Sequence, residues 1–120
     1  MEPKDLSGAL RTVLNILDAW NVSQEDRLAL LGCDRATYNR WLETHQIGEL
    51  IPGTLERLSY ILGIWRALQA LFPDPAIANT WVHRPNGSPV FGGQTPLAVM
   101  AQGKIEDLSR VRRFLDGWLN

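Results

Sequence analysis

Apolar side chains recur every three or four residues along much of the chain, a spacing that predicts amphipathic helices. The first stripe extends over about 6–20 and consists of Leu6, Leu10, Val13, Leu14, Leu17 and Trp20. A longer segment, from near Pro52 and Thr54 to Phe72, carries two stripes, formed by Leu55, Leu58, Leu62 and Trp65 and by Ile61, Ile64, Leu68 and Leu71. Because a helix that is apolar on two faces is normally buried on both, we predict that this segment is the central helix.

Two short helices are predicted between these long ones. Ser23 is a good N-cap for a helix that stops at Gly32, and Asp34 is a good N-cap for a helix over about 35–44. The apolar side of the second short helix consists of Tyr38, Trp41 and Leu42. Since a glycine between two short helices permits a sharp turn, we predict a helix-turn-helix at about 23–44.

The second half alternates short helices with an irregular loop. Asp74-Pro75 and Thr95-Pro96 are pairs of cap and first helical residue, which predict helices ending near Val82 and Gln102. Prolines and glycines exclude a helix from the loop 83–95, and a few extended residues are predicted at Phe91-Gly92-Gly93. A last helix is predicted over about 104–119, with a stripe of Ile105, Leu108, Val111, Leu115 and Trp118. The predicted fold is all-α, a single unit of about seven helices.

Composition and charge fit one ordinary folded domain. The chain has 120 residues, of which 45% are hydrophobic and 21% charged, with a net charge of −1. The first 60 residues hold six basic and nine acidic side chains, and the last 60 hold six basic and four acidic ones. The helix-turn-helix therefore lies in an acidic half, without the strongly basic character typical of a nucleic-acid binder. The single cysteine and the absence of a signal-like or membrane-spanning segment predict a cytoplasmic protein.

Residues that could support catalysis are sparse. His45, His83 and Cys33 have no serine, cysteine or carboxylate at a motif spacing, and no cluster suits a zinc or calcium ion. Gly92-Gly93 lacks the lysine and hydroxyl residue of a phosphate-binding loop. We therefore predict neither enzymatic activity nor a cofactor.

The second helix of the helix-turn-helix carries side chains suited to a DNA major groove. These candidates for DNA binding are Arg35, Thr37, Asn39 and Arg40. Two features argue against DNA binding by this helix. Asp34 and Glu43 offset the two arginines, and Arg27 stands where the first helix would be expected to carry an apolar residue. A pair of helices that merely pack together is the alternative.

The segment 20–60 resembles the Xre-type helix-turn-helix, and the segment 60–120 resembles the toxin-binding domain of Xre/MbcA/ParS antitoxins. The C-terminal motifs follow in a fairly specific order: Trp81, Pro85-Asn86, Phe91-Gly92-Gly93, Thr95-Pro96-Leu97, Met100, Gly103, Leu108, Val111 and Phe114-Leu115-Asp116. The resemblance implies a helical N-terminal region at 1–72, which includes the helix-turn-helix and the central helix, and a toxin-binding domain at 73–120.

The resemblance also implies a function. The chain would be the antitoxin of a type II toxin–antitoxin pair, and its partner would be a RES-domain toxin that degrades NAD or transfers ADP-ribose. It would cover the active-site cleft of the toxin, form a homodimer and repress its own operon. The expected toxin-binding residues are Trp81, Asn86, Phe91, Gly92, Gly93, Pro96, Met100, Arg110, Arg113, Trp118 and Asn120. A separate hypothesis is that the C-terminal carboxylate, at Asn120, pairs with a toxin arginine that otherwise holds a nucleotide phosphate.

Two other functions remain open at the level of sequence. A helix-turn-helix transcriptional regulator without a toxin partner would use 23–44 for DNA and 73–120 only for dimerisation. A small metabolic enzyme would have to rely on scattered carboxylates. For Trp81 and Phe91, a role in stapling the loop to the core is an equally good interpretation, and the arginines of the last helix fit a solvated face as well as a binding site.

Overall fold

The computed structural model describes residues 3–48 and 51–119, with the side chains of 3–6 left aside. Within that part of the chain it contains helices and turns but no strand. The seven α-helices are α1 (Pro3–Ala19), α2 (Gln24–Leu31), α3 (Arg35–Thr44), α4 (Thr54–Leu71), α5 (Pro75–Thr80), α6 (Pro96–Met100) and α7 (Ile105–Leu119), and a 3₁₀ turn follows α5 at Trp81–His83. The prediction of an all-α fold is confirmed.

The predicted caps account for most helix boundaries. The side chains of Ser23, Asp34, Asp74 and Thr95 accept hydrogen bonds from backbone N–H groups in the first turns of α2, α3, α5 and α6. Gly32 ends α2 in the left-handed conformation, with φ 66°, and its N–H donates to the Leu28 carbonyl. The chain then turns directly into α3, which gives the predicted helix-turn-helix.

Three details of the prediction were wrong. Phe91-Gly92-Gly93 forms a turn rather than extended backbone, because Gly92 and Gly93 both have positive φ and the N–H of Phe91 donates to the Ser88 carbonyl. Leu42 is exposed, since the buried side of α3 is covered by Tyr38 and Trp41 alone. Trp118 does not continue the buried stripe of α7: it is 70% exposed because the helix extends beyond the core at this end.

Helix α4 lies at the centre, as predicted. Its buried residues include Leu58, Ile61, Ile64 and Leu68, and it packs against α1 on one side and α7 on the other. One apolar cluster extends from Leu10 in α1 to Leu115 in α7, so the two halves of the chain share a core. None of the described helices is both long enough and apolar enough to cross a membrane.

Candidate functional site

Four aromatic rings form a continuous row beside the irregular loop. Phe114 of α7 stacks on Trp81, with ring centroids 6.3 Å apart, and makes an edge contact with Phe91 at 5.0 Å. Trp81 and Phe91 also meet edge to face at 5.9 Å, and Trp118 lies 6.3 Å from Phe114. We call this set of Trp81, Phe91, Phe114 and Trp118 the aromatic row. Its rings meet at distances typical of favourable aromatic pairs.

Exposure rises along the aromatic row from the core to the solvent. Phe91 is 2% and Trp81 9% exposed, Phe114 is half-buried, and Trp118 is 70% exposed. An exposed tryptophan held against a packed ring is unusual for a surface without a partner, since tryptophan is enriched at binding hot spots. The buried rings thus support a single large apolar side chain that is free to contact another protein.

Asn86 holds the loop in shape from within. Its side-chain oxygen accepts a hydrogen bond from the Ser88 N–H at 2.9 Å, an Asx turn. Its backbone N–H donates to the Gln94 carbonyl and its own carbonyl accepts from the Gly93 N–H, at 3.1 and 2.9 Å. These bonds close the loop across its neck, with Gly92 and Gly93 exposed to solvent at that neck. Their N–H groups are paired within the loop, with the carbonyls of Ser88 and Asn86, but neither glycine has a side chain that would keep a partner away. Both hold positive φ, which glycine adopts without strain.

Two exposed arginines lie on the same helix as the exposed end of the aromatic row. Arg110 lies eight residues before Trp118, about 80° away around α7, whereas Arg113 lies five residues before it, about 140° away and so on a different face. Arg110 makes a long contact of 3.8 Å with the carboxylate of Asp107, three residues before it. Arg112 pairs with the carboxylate of Asp116, four residues after it, at 3.1 Å.

The structure separates the expected toxin-binding residues into two groups. Trp81, Phe91, Pro96 and Met100 are buried and pack behind the surface. Gly92, Gly93, Arg110, Arg113 and Trp118 are exposed, with Asn86 half-buried among them. Asn120 lies outside the described residues. Phe114 joins the two groups, and its spacing of four residues from Trp118 is the sequence signal that could have marked it as their link.

The helix-turn-helix presents a second polar surface. Arg35, Asn39 and Arg40 are exposed on α3, whereas Thr37 is half-buried and donates its backbone N–H to the Asp34 carboxylate at 2.8 Å. This hydrogen bond to Asp34 holds the pKa of its carboxyl below the ordinary range. Asp34 therefore stays charged near the two arginines and reduces the positive potential of the surface.

Arg27 is a structural residue of the helix-turn-helix rather than a contact for DNA. Its guanidinium donates to the Val22 carbonyl at 2.9 Å and to the Tyr38 hydroxyl at 3.2 Å, and it pairs with Asp18 at 2.8 Å. Only 15% of its side chain is exposed. It joins the end of α1 to α3 and so performs the packing role that an apolar residue was expected to have at this position.

A separate groove of about 460 Å³ lies between α1, α4 and α7. Its charged lining residues are Arg66, Arg112 and Asp116, and none of the residues expected to bind a toxin belongs to it. The described residues contain no cluster of three or more histidine, cysteine or acidic side chains that could hold a metal ion.

Comparison with known proteins assigns the helix-turn-helix and the aromatic row to two family domains. Residues 4–63 match the family model of the antitoxin Xre-like helix-turn-helix domain, and residues 67–119 match that of the antitoxin Xre/MbcA/ParS C-terminal toxin-binding domain. A relative from Sinorhizobium fredii, the uncharacterized protein y4oB, is 41% identical over 108 residues, which cover 89% of this chain and 81% of the relative. The helix-turn-helix thus lies in the first matched domain and the aromatic row in the second, and the chain belongs to the Xre/MbcA/ParS family of antitoxins.

Proposed function

We propose that this antitoxin neutralises a RES-domain toxin by covering the cleft in which the toxin binds NAD. The observation that carries the proposal is the exposed Trp118 at the end of the aromatic row, within the domain whose family binds toxins. The RES-domain partner is supported by the resemblance of the C-terminal motifs. Such a toxin would consume NAD or transfer its ADP-ribose, and the antitoxin would block access without chemistry of its own.

The surface has the composition that a tight inhibitor needs. Trp118 supplies a large rigid apolar anchor, the backbone of Gly92 and Gly93 allows close approach, and Arg110, with Arg113 further around α7, supplies charge at the rim. Since both arginines are exposed, the matching face of the toxin is expected to be acidic. Charges at a rim mainly raise the association rate, so added salt should slow association more than it speeds dissociation.

Replacement of Trp118 tests the contact directly. Because Trp118 is 70% exposed, Trp118→Ala should leave the fold intact while weakening toxin binding by about 30-fold or more, the effect of losing a hot-spot residue. Affinity is measured by calorimetry against the purified protein encoded by the adjacent reading frame. Leu42→Ala is the matched control, because Leu42 is also an exposed large apolar residue but lies on α3. Equal affinities of Trp118→Ala and the unaltered chain would exclude the aromatic row from the interface.

We also propose that the antitoxin forms a homodimer and represses its own operon through α3. The exposed Arg35, Asn39 and Arg40 support this second role, and two copies would place two such helices in successive major grooves. If the chain were a regulator without a toxin, it would bind its promoter fully by itself, and the protein of the adjacent frame would neither bind it nor change that affinity.

A further inference from the structure

Arg57 of α4 joins the helix-turn-helix to the start of α7 through one guanidinium group. Its Nη1 donates to the carbonyls of Ala29 and Leu30 in the last turn of α2, at 2.9 and 3.3 Å. Its Nη2 donates to the carbonyl of Gly103, the residue before the capping turn of α7, at 2.7 Å. The arginine therefore bonds parts of the chain that lie 28 residues before it and 46 residues after it.

The bonds to α2 satisfy groups that the helix cannot satisfy itself. The last four carbonyls of a helix have no partner within it, and they lie at the negative end of its dipole. A guanidinium meets both needs because it is always charged and presents several donors in a fixed plane. Arg57 thus acts as a cap for α2 that is supplied from a different helix.

The turn of the helix-turn-helix leaves room for this contact. A Cβ atom at Gly32 would lie 2.5 Å from Nε and 2.7 Å from Cζ of Arg57, closer than atoms can pack. The absence of a side chain at Gly32 therefore serves two purposes, since its φ of 66° also favours glycine. A movement of the guanidinium would therefore displace the turn at Gly32, and this turn sets the position of α3.

The other end of the bridge lies at the base of the helix that carries the toxin surface. Gly103 precedes α7, whose first turn is fixed by the Asp107 carboxylate accepting from the Lys104 N–H at 3.3 Å and by Ile105, which packs close to Gly53. The same helix carries Arg110, Phe114 and Trp118. A partner that moves α7 would therefore pull on the carbonyl to which Arg57 is bonded.

Few other hydrogen bonds join the helix-turn-helix to the C-terminal part of the described chain. Among the described residues, those of Arg57 are the hydrogen bonds that connect α2 with the segment 81–119. His83 also bonds the Trp20 carbonyl, but that contact reaches the end of α1 and not the helix-turn-helix. We infer that Arg57 couples the two binding sites, so that occupation of the toxin surface changes the affinity of α3 for operator DNA through this one side chain.

The inference rests on the proposed function, and thermodynamic linkage makes it measurable. If the toxin changes the affinity for DNA by some factor, the DNA must change the affinity for the toxin by the same factor. The factor in the unaltered chain is expected to lie between about 5 and 150, the ordinary range for coupled sites. Removing the hydrogen bonds of Arg57 should bring this coupling factor towards one, while the chain still binds both the toxin and the DNA.

The experiment measures that factor for the full-length chain and three variants. Promoter duplex DNA is titrated with antitoxin, in the presence and absence of the purified protein encoded by the adjacent frame. Arg57→Met keeps the length of the side chain but no donor, and should lower the factor at least fivefold. Arg57→Lys keeps the charge but has one nitrogen, which cannot bond α2 and Gly103 from two separate atoms, so it should lower the factor as well. Arg66→Met, on the exposed side of the same helix, should leave it unchanged.

The outcomes separate this inference from the proposed function. If the unaltered chain binds neither the DNA nor the adjacent protein, the proposed function fails and the coupling with it. If it binds both and the factor is one, or if both Arg57 variants keep the factor of the unaltered chain, only the coupling is overturned. If Arg57→Met does not fold, the factor of Arg57→Lys decides, because that variant retains the half-buried charge.

Discussion

Cys33 occupies the turn between α2 and α3, where its surroundings disfavour the thiolate. Burial raises the pKa of its thiol to about 11 from an ordinary value of 9.0, helped by the negative charge of Asp34 and opposed by the nearby Arg57. The folded chain therefore holds this proton to higher pH than the unfolded chain does. The stability that the neutral thiol contributes is complete below about pH 9 and is lost as the pH rises towards 11.

The reactivity of Cys33 should reflect this pKa. At pH 8 the native thiol is expected to react with iodoacetamide about 100-fold more slowly than the unfolded chain, the ratio of the two thiolate populations. Asp34→Asn keeps a good N-cap but removes the charge, and should raise the native rate. Mass spectrometry of the modified fraction measures both rates. A native rate equal to that in urea would show that the thiol is not shielded.

Trp20 and Trp41 form a matched pair of fully buried tryptophans. Both are 0% exposed, but Trp41 donates its Nε1 hydrogen to the Ile47 carbonyl at 3.2 Å, whereas the Nε1 of Trp20 finds no acceptor among the described residues. Replacement by phenylalanine removes similar volume at both sites. It leaves a buried carbonyl unpaired only at Trp41, and at Trp20 it removes a buried donor that had no partner.

Trp41→Phe should consequently lower the free energy of unfolding more than Trp20→Phe does, by about 1 kcal/mol. Urea denaturation followed by circular dichroism measures both values under the same conditions. A larger loss at Trp20 would contradict this assignment of hydrogen bonds. Replacement of either residue by alanine should cost about 3–5 kcal/mol, because a large cavity remains.

The helix α3 has one polar face of modest positive charge. Its two exposed arginines are offset by the exposed acidic residues Asp34 and Glu43, and Arg27 is occupied within the fold. Few phosphate contacts are therefore available. The affinity for operator DNA should fall less steeply with salt than that of a protein with six to ten phosphate contacts, with a logarithmic slope of about −4 for a dimer that uses two arginines per copy.

Joint replacement of Arg35 and Arg40 by alanine should abolish promoter binding and leave toxin binding unchanged, because both side chains lie on α3 and none of the aromatic row does. A gel-shift assay and calorimetry with the adjacent-frame protein measure the two affinities. Glu43→Ala is the control on the same helix, and it should preserve or strengthen DNA binding. Simultaneous loss of both activities in the arginine variant would refute the division of labour between the two halves.

Caps and apolar spacing predicted the helices well, because both act over a few residues. They did not predict the contacts between helices that are distant along the chain. Caps such as Ser23 and Asp34 act within one helical turn, so their effect is visible in the sequence. Trp118 fitted the apolar spacing of α7 as well as Leu115 did, and its exposure depends on where the core ends. The bonds of Arg57 connect residues that are far apart along the chain, and no spacing rule predicts them.

At the scale of the whole molecule, α4 makes the two halves one structure. It packs against both α1 and α7, and a single apolar cluster joins the helix-turn-helix to the helices beside the aromatic row. The continuous central helix was predictable from its two apolar stripes. The two candidate binding surfaces lie on a shared core, so they hold a fixed position relative to each other and are not joined by a flexible linker.

We propose that this antitoxin neutralises an NAD-consuming toxin through the aromatic row. The most direct test is to express the protein of the adjacent reading frame alone, with the antitoxin, and with its Trp118→Ala variant, while measuring growth and cellular NAD. We expect that the adjacent protein alone arrests growth and depletes NAD, that the antitoxin co-purifies with it and restores both, and that the variant restores them poorly. A harmless adjacent protein that does not co-purify with the antitoxin would contradict the proposed function.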